Sequence, residues 1–198
     1  MRFHHRLHRD ARFVYDRMRS DRGAPIATQA VARLRALAAF RECVVGERIY
    51  AYGPVRVIAE GSVILGSRVF FLGGMIPTEL KCFWGGTLRI GDASGFNYGA
   101  SIEVHDRVTI GQSCMIASMV SICDSTADGT SPIVIGDNVW IAHGATIQPG
   151  SIIGSGSVVS AGSVVSGEIP PQSLALGNPA RAMKLDAVRG RSMPPPSR

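Results

Sequence analysis

From Ile135 to Pro170 the chain repeats every six residues: IGDNVW, IAHGAT, IQPGSI, IGSGSV, VSAGSV, VSGEIP. Each hexad opens on a branched aliphatic (Ile135, Ile141, Ile147, Ile153, Val159, Val165), and the fifth position of the first five is small or short (Val139, Ala145, Ser151, Ser157, Ser163). A period of six matches neither a helix at 3.6 nor a hairpin at 2. It fits a coil of very short parallel strands, in which one branched residue per side points inward and a small one turns the corner. The pattern predicts an all-β solenoid.

The beat continues backwards through Val104, Ile110, Ile116 and Ile122, through Ile90, Phe96 and Ile102, and through Val57, Val63 and Val69. Its breaks locate interruptions of the coil. One is a two-residue slip at Ile102–Val104. The other is an extra residue between Ile122 and Ile135, where the polar stretch DSTADGTSP should bulge out as a loop. Loops displaced from a rigid repeat are where such scaffolds carry function.

The 198 residues suffice for one domain. The reading divides it into an N-terminal helical cap (1–43), a β-helix (44–170) and a C-terminal extension (171–198) ending in a disordered MPPPSR tail. Residues 3–20 read as a helix with Phe3, Leu7, Phe13, Val14 and Met18 on one side. A second helix is N-capped by Thr28 and carries the apolar stripe Val31, Leu34, Leu37, Ala38. Both would cover the open end of the coil. Arg181 to Val188 reads as a short C-terminal helix.

Four cysteines (Cys43, Cys82, Cys114, Cys123) lack metal spacing and read as packed thiols. The net charge of +6 is concentrated in residues 1–22, with seven Arg against three Asp. That basic segment suits peripheral association with an anionic membrane surface. Nucleic acid is not expected as a partner, because aromatic and basic residues do not interleave along the strands. No apolar run approaches the ~18 residues of a membrane span, and the N-terminus lacks the apolar core of a signal peptide, so the expected location is cytoplasmic.

The phrase VIGDNVWIAHGATIQPGSIIGSGSVVSAGSVV…IPPQSLALGNPARAMK resembles the hexapeptide-repeat acyltransferases, and most of all their sugar and exopolysaccharide O-acetyltransferase branch. The likeness covers about residues 88–184. It implies a left-handed parallel β-helix, a homotrimer, acetyl-CoA as co-substrate, no metal, and active sites between subunits. Left-handedness comes from the resemblance alone, since parallel β connections are in general right-handed in ~98% of cases.

On the donor side the resemblance matches thioester-binding positions to Trp140, Ala142, His143 and Ala161. Small residues here, with Gly162, leave a straight backbone edge for a pantetheine arm, and Arg181 and Lys184 follow the GNPAR exit as cations for CoA phosphates. Ala161 and Gly162 are also what a corner requires. On the acceptor side, NYG matches the family's aromatic-Asn-aromatic phrase and places Asn97 on the sugar or glycan acceptor. Asn97 also reads as a corner residue bonding its own backbone. Eight residues on, where the family has an acceptor-binding Asp, this chain has His105.

The loop departs from the family pattern. The family's base is a His in a D-x-x-H phrase, and Asp124-Ser125-Thr126-Ala127 puts Ala127 in its place. Transfer to a hydroxyl calls for a base that works near neutral pH. His143 and His105 are the only histidines outside the N-terminal segment, so they are the catalytic candidates, with His143 preferred as the base. Asp124 is assigned to the acceptor. The function expected is an acetyl-CoA-dependent O-acetyltransferase acting on a sugar or polysaccharide precursor. The alternative is a catalytically degenerate β-helix that scaffolds partners or binds acyl-CoA. A metal hydratase on the same coil would need three histidines at one site, and two coil histidines do not supply them.

Overall fold

A computed structural model describes residues 25–185. The chain winds as a left-handed parallel β-helix with three flat faces. Face A stacks seven strands, starting at Val44–Val45 and ending at Glu168–Ile169. Face B stacks eight, from Tyr50–Ala51 to Ala180–Lys184, and face C six, from Val55–Ala59 to Val164–Val165. Neighbouring turns pair in parallel and in register, for example Met115 with Trp140 and Trp140 with Val158 on face B. One residue therefore sits directly above its counterpart in the next coil.

The predicted hexads are the core: Ile135, Ile141, Ile147, Ile153, Val159 and Val165 are all buried. The corner is built somewhat differently from expectation. The left-handed residue is the fourth of the first five hexads, as at Asn138 (φ 56°) and Gly144 (φ 66°), and likewise at Met119 (φ 60°) in an earlier coil. The small fifth residue follows it and packs inside the turn. Buried serines there serve the backbone: Ser151 donates to Gln148 and Val165 carbonyls, and Ser157 to that of Pro170. The slip at 102–104 is absorbed by a longer strand, Ser101–Val104, whose Ile102 and Val104 both point inward.

At the N-terminal end, α1 (Ile26–Ala39) lies across the first coil, with Pro25 rather than Thr28 preceding it and no side-chain cap. Proline is preset for a helix start because its φ is fixed and its missing N–H would have been unpaired. The helix uses the face opposite to the expected one. Ala32 and Ala36 are buried, whereas Val31, Leu34 and Leu37 are exposed. Alanines let the helix come close to the coil, and Phe40 at its end supplies the bulk, packing tilted at 5.1 Å against Phe71, which stacks at 5.1 Å on Phe96. The predicted helix at 3–20 and the MPPPSR tail lie outside the described residues.

At the other end the coil continues past residue 170: Ser173–Gly177 pairs in parallel with Val158–Val159. Residues 181–184, expected to begin a helix, lie instead in the strand Ala180–Lys184, antiparallel to it. The reason is local. Ala175 is an inward core residue, so the chain completes face B before it can turn back, and the returning strand covers the edge. The remainder of that expected helix, 186–188, lies outside the described residues.

Candidate active site

The B–C corners of successive coils stack Asn97-Tyr98-Gly99, Ala117-Ser118-Met119, Ala142-His143-Gly144 and Ser160-Ala161-Gly162. Corner bonds lock the order: Met119 N–H donates to Tyr98 O, Gly144 N–H to Ser118 O and Gly162 N–H to His143 O. Tyr98, Ser118, His143 and Ala161 therefore form one column. His143 is exposed and held from below, with its Nδ1 2.8 Å from Ser118 Oγ. Ser118 is nearly buried. Ser118 was not singled out from the sequence, although it occupies the same hexad slot as His143 one coil earlier, and equal slots stack.

Of the residues matched to the donor from the sequence, Trp140, Ala142 and Gly162 lie in or beside this column. Trp140 stands half-buried on face B between Met115 and Val158, and Ala142 begins the corner beside it. A Cβ at Gly144 or Gly162 would meet nothing within 4 Å, so the edge above His143 is open backbone. Gly162 is also needed for its φ of 67°. The exit strand separates the two cations. Arg181 pairs with Leu176, and Met183 with Leu174, which lies in register above Val158. Cross-strand partners share a side, so Arg181 shares the outer surface with Trp140. Lys184 pairs with buried Ser173 and projects to the opposite side.

Asn97 is a corner residue whose Oδ1 accepts the Tyr98 N–H at 2.8 Å, so its amide N–H₂ is not used in that corner bond. His105 and Asp124 occupy a different corner, C–A. Asp124 is fully buried, and its two carboxylate oxygens accept the backbone N–H groups of His105 (2.8 Å) and Asp106 (2.9 Å). It holds the turn, so its carboxylate is already committed. His105 stacks on Phe83 at 4.6 Å, and its Nε2 lies 3.1 Å from Glu103 Oε1. The loop that should bulge out does so from this corner as a two-strand hairpin, Ser125–Thr126 against Gly129–Thr130, with Ala127 and Asp128 at its exposed tip.

The four cysteines are free. Among the described residues no group of three or more His, Cys, Asp or Glu is gathered in metal-binding geometry, and no helix is long and apolar enough to cross a membrane.

Repeat and coil together define a hexapeptide-repeat β-helix. Residues 132–167 match the family model described as bacterial transferase hexapeptide (six repeats). A Schizosaccharomyces pombe protein provisionally named an acetyltransferase is 35% identical over 146 residues, spanning 67% of this chain and 70% of that protein. Among solved structures, the polysialic acid-specific acetyltransferase NeuO superposes with a TM-score of 0.58 at 26% identity, covering 71% of this chain and 80% of NeuO. A galactoside acetyltransferase in complex with coenzyme A shares the fold, with a TM-score of 0.52 at 22% identity over 88% of this chain and 78% of that one. The chain belongs to the hexapeptide-repeat acetyltransferases.

Proposed function

We propose that this protein transfers an acetyl group from acetyl-CoA to a hydroxyl of a sugar or polysaccharide precursor. The observation that carries the reading is the B–C edge. An exposed histidine held by Ser118 stands between an amide-presenting corner at Asn97 and an open backbone ledge at Ala161-Gly162, with Trp140 and Arg181 on the adjoining face. A pantetheine arm can lie along such a ledge while the guanidinium meets a phosphate. The likeness to NeuO favours a glycan acceptor. CoA in the galactoside acetyltransferase complex favours the donor.

The working unit is a homotrimer with sites shared between protomers. Exposed apolar side chains on the flat face A, Val134 and Ile152, suit such packing. A cytoplasmic location fits a CoA thioester as co-substrate. The test is incubation of the full chain with acetyl-CoA and a panel of glycans, with CoA release and ester formation measured together. Acceptor-dependent release is the expected result. CoA binding with no release on any acceptor would leave instead a β-helix that binds acyl-CoA without turnover, the reading favoured by the loop tip that carries Ala127 in place of a histidine.

A further inference from the structure

We propose that hydrogen-bond partners divide the chemistry between the two coil histidines: His105, oriented by Glu103, is the general base, and His143, oriented by Ser118, is the hydrogen-bond donor to the thioester oxygen. The inference rests on the acetyltransferase reading above and reverses the preference for His143 as base.

An ionised carboxylate only accepts, so Glu103 Oε1 at 3.1 Å fixes the proton of His105 on Nε2 and leaves the Nδ1 lone pair as the basic site. The same carboxylate stabilises the imidazolium that forms when Nδ1 takes a proton. Around His105 the charged groups are Glu103 on its own strand, Lys81 opposite Glu103 on the neighbouring strand, Glu79 bonded to Lys81 at 2.8 Å and paired with Arg56 at 3.4 Å, Asp106 and Arg107 next along the chain, and Asp124 beneath the turn. Of these, Glu103 is the one whose side chain bonds the ring itself.

His143 has the opposite environment. The residues stacked above and below it, Ala117-Ser118-Met119 and Ser160-Ala161-Gly162, include no charged side chain, so nothing compensates an imidazolium there. Ser118 is nearly buried, and among the described residues its hydroxyl has only His143 Nδ1 within bonding distance. A buried hydroxyl proton needs an acceptor, so Ser118 donates to Nδ1. The ring proton then sits on Nε2, which presents an N–H to the ledge. That group can polarise a carbonyl and hold an oxyanion, but it has no lone pair with which to take a proton.

The two histidines also lie apart. Face C, spanned here by the four-residue strand Ser101–Val104, and two coils separate their corners within one chain, roughly 15 Å at ordinary strand dimensions. Reacting atoms must approach to about 3–3.5 Å. They therefore serve one acetyl group only when the C–A corner of one protomer faces the B–C corner of another. The step then balances. The acceptor oxygen attacks the thioester carbonyl carbon and its proton passes to His105 Nδ1. The oxyanion rests on the Nε2–H of His143 in the neighbouring protomer. The tetrahedral centre collapses with cleavage of the C–S bond, and the CoA thiolate leaves and takes the proton from His105.

The experiment uses the full-length chain with acetyl-CoA and, as acceptor probes, methyl β-galactoside and an α2,8-linked sialic acid oligomer, following CoA release from pH 5.5 to 9. A donor can be replaced by an amide and a base cannot. His143→Ala should lower kcat by about 10²–10³-fold, while His143→Gln stays within about tenfold of the parent chain and keeps its loss of rate at acid pH. His105→Gln should lower kcat by about 10²–10⁴-fold and abolish that acid-side loss. Glu103→Ala should lower kcat and displace the acid-side midpoint with the KM for acetyl-CoA unchanged, which a merely structural role would not do. If His143→Gln is as slow as His143→Ala and loses the acid-side dependence, while His105→Gln keeps both, the division is overturned and transfer itself stands. If the unmodified chain releases no CoA with either probe or with water, the transferase reading fails and the division fails with it.

Discussion

Asp124 and His105 are joined through the backbone: the Asp124 carboxylate, wholly buried, accepts the His105 amide at 2.8 Å. With Asp106 bonded to the second oxygen at 2.9 Å, one side chain ties the root of the loop hairpin to the corner of the coil below. Asp124→Ala should leave both amides unpaired at a cost of about 2–4 kcal/mol. Thermal unfolding would register this as a fall of roughly 5–15 °C in Tm. Asp124→Asn, which keeps one carbonyl acceptor, should lose less. An Asp124→Ala protein with unchanged Tm would show that the turn holds without the carboxylate.

Sequence reading located the coil well because every buried hexad position is decided by one local requirement, a branched side chain under a parallel strand. It failed where the requirement was not local. The helix stripe Val31, Leu34, Leu37 is the most apolar face of α1, yet the coil end takes the Ala32–Ala36 face, because Phe71 at the mouth of the solenoid already demands Phe40. The corner residues were named, but their grouping was not. Asp124 reads as an acceptor ligand until its two backbone bonds are seen. The sequence prefers His143 over His105 as the base, and nothing in it shows that they stand on different corners. Arg181 and Lys184 part company only once the strand register is known.

Burial keeps the Cys114 thiol protonated, pushing it up to about 11 from 9.0. The unfolded chain loses that proton first as pH rises. The contribution is therefore complete below pH 9 and lost between pH 9 and about 11, on the order of 2–3 kcal/mol. Stability measured by denaturant across that window should fall, and Cys114→Ala should flatten the fall. A thiol reagent at pH 8 should modify Cys114 only after unfolding. Rapid native labelling would contradict its burial.

On the exit strand, Arg181 shares the Trp140 surface and Lys184 does not. Arg181→Ala should weaken CoA binding by about 3–10-fold and reduce its salt dependence, because a guanidinium–phosphate contact is charge-assisted and screened. Lys184→Ala should leave affinity within error. Calorimetric titration of both variants decides this, and equal losses would place the phosphates elsewhere.

The proposed division puts one acetyl group between His105 of one protomer and His143 of another. The most direct measurement mixes two inactive proteins. His105→Ala and His143→Ala chains, unfolded together in equal amounts and reassembled, should regain acetyl transfer to about a quarter of the wild-type rate. Only an interface with an intact His105 on one side and an intact His143 on the other would work, and random assembly makes about one in four of those. Each variant reassembled alone should stay inactive. Mixed assemblies no faster than the separate variants would contradict a site shared between protomers.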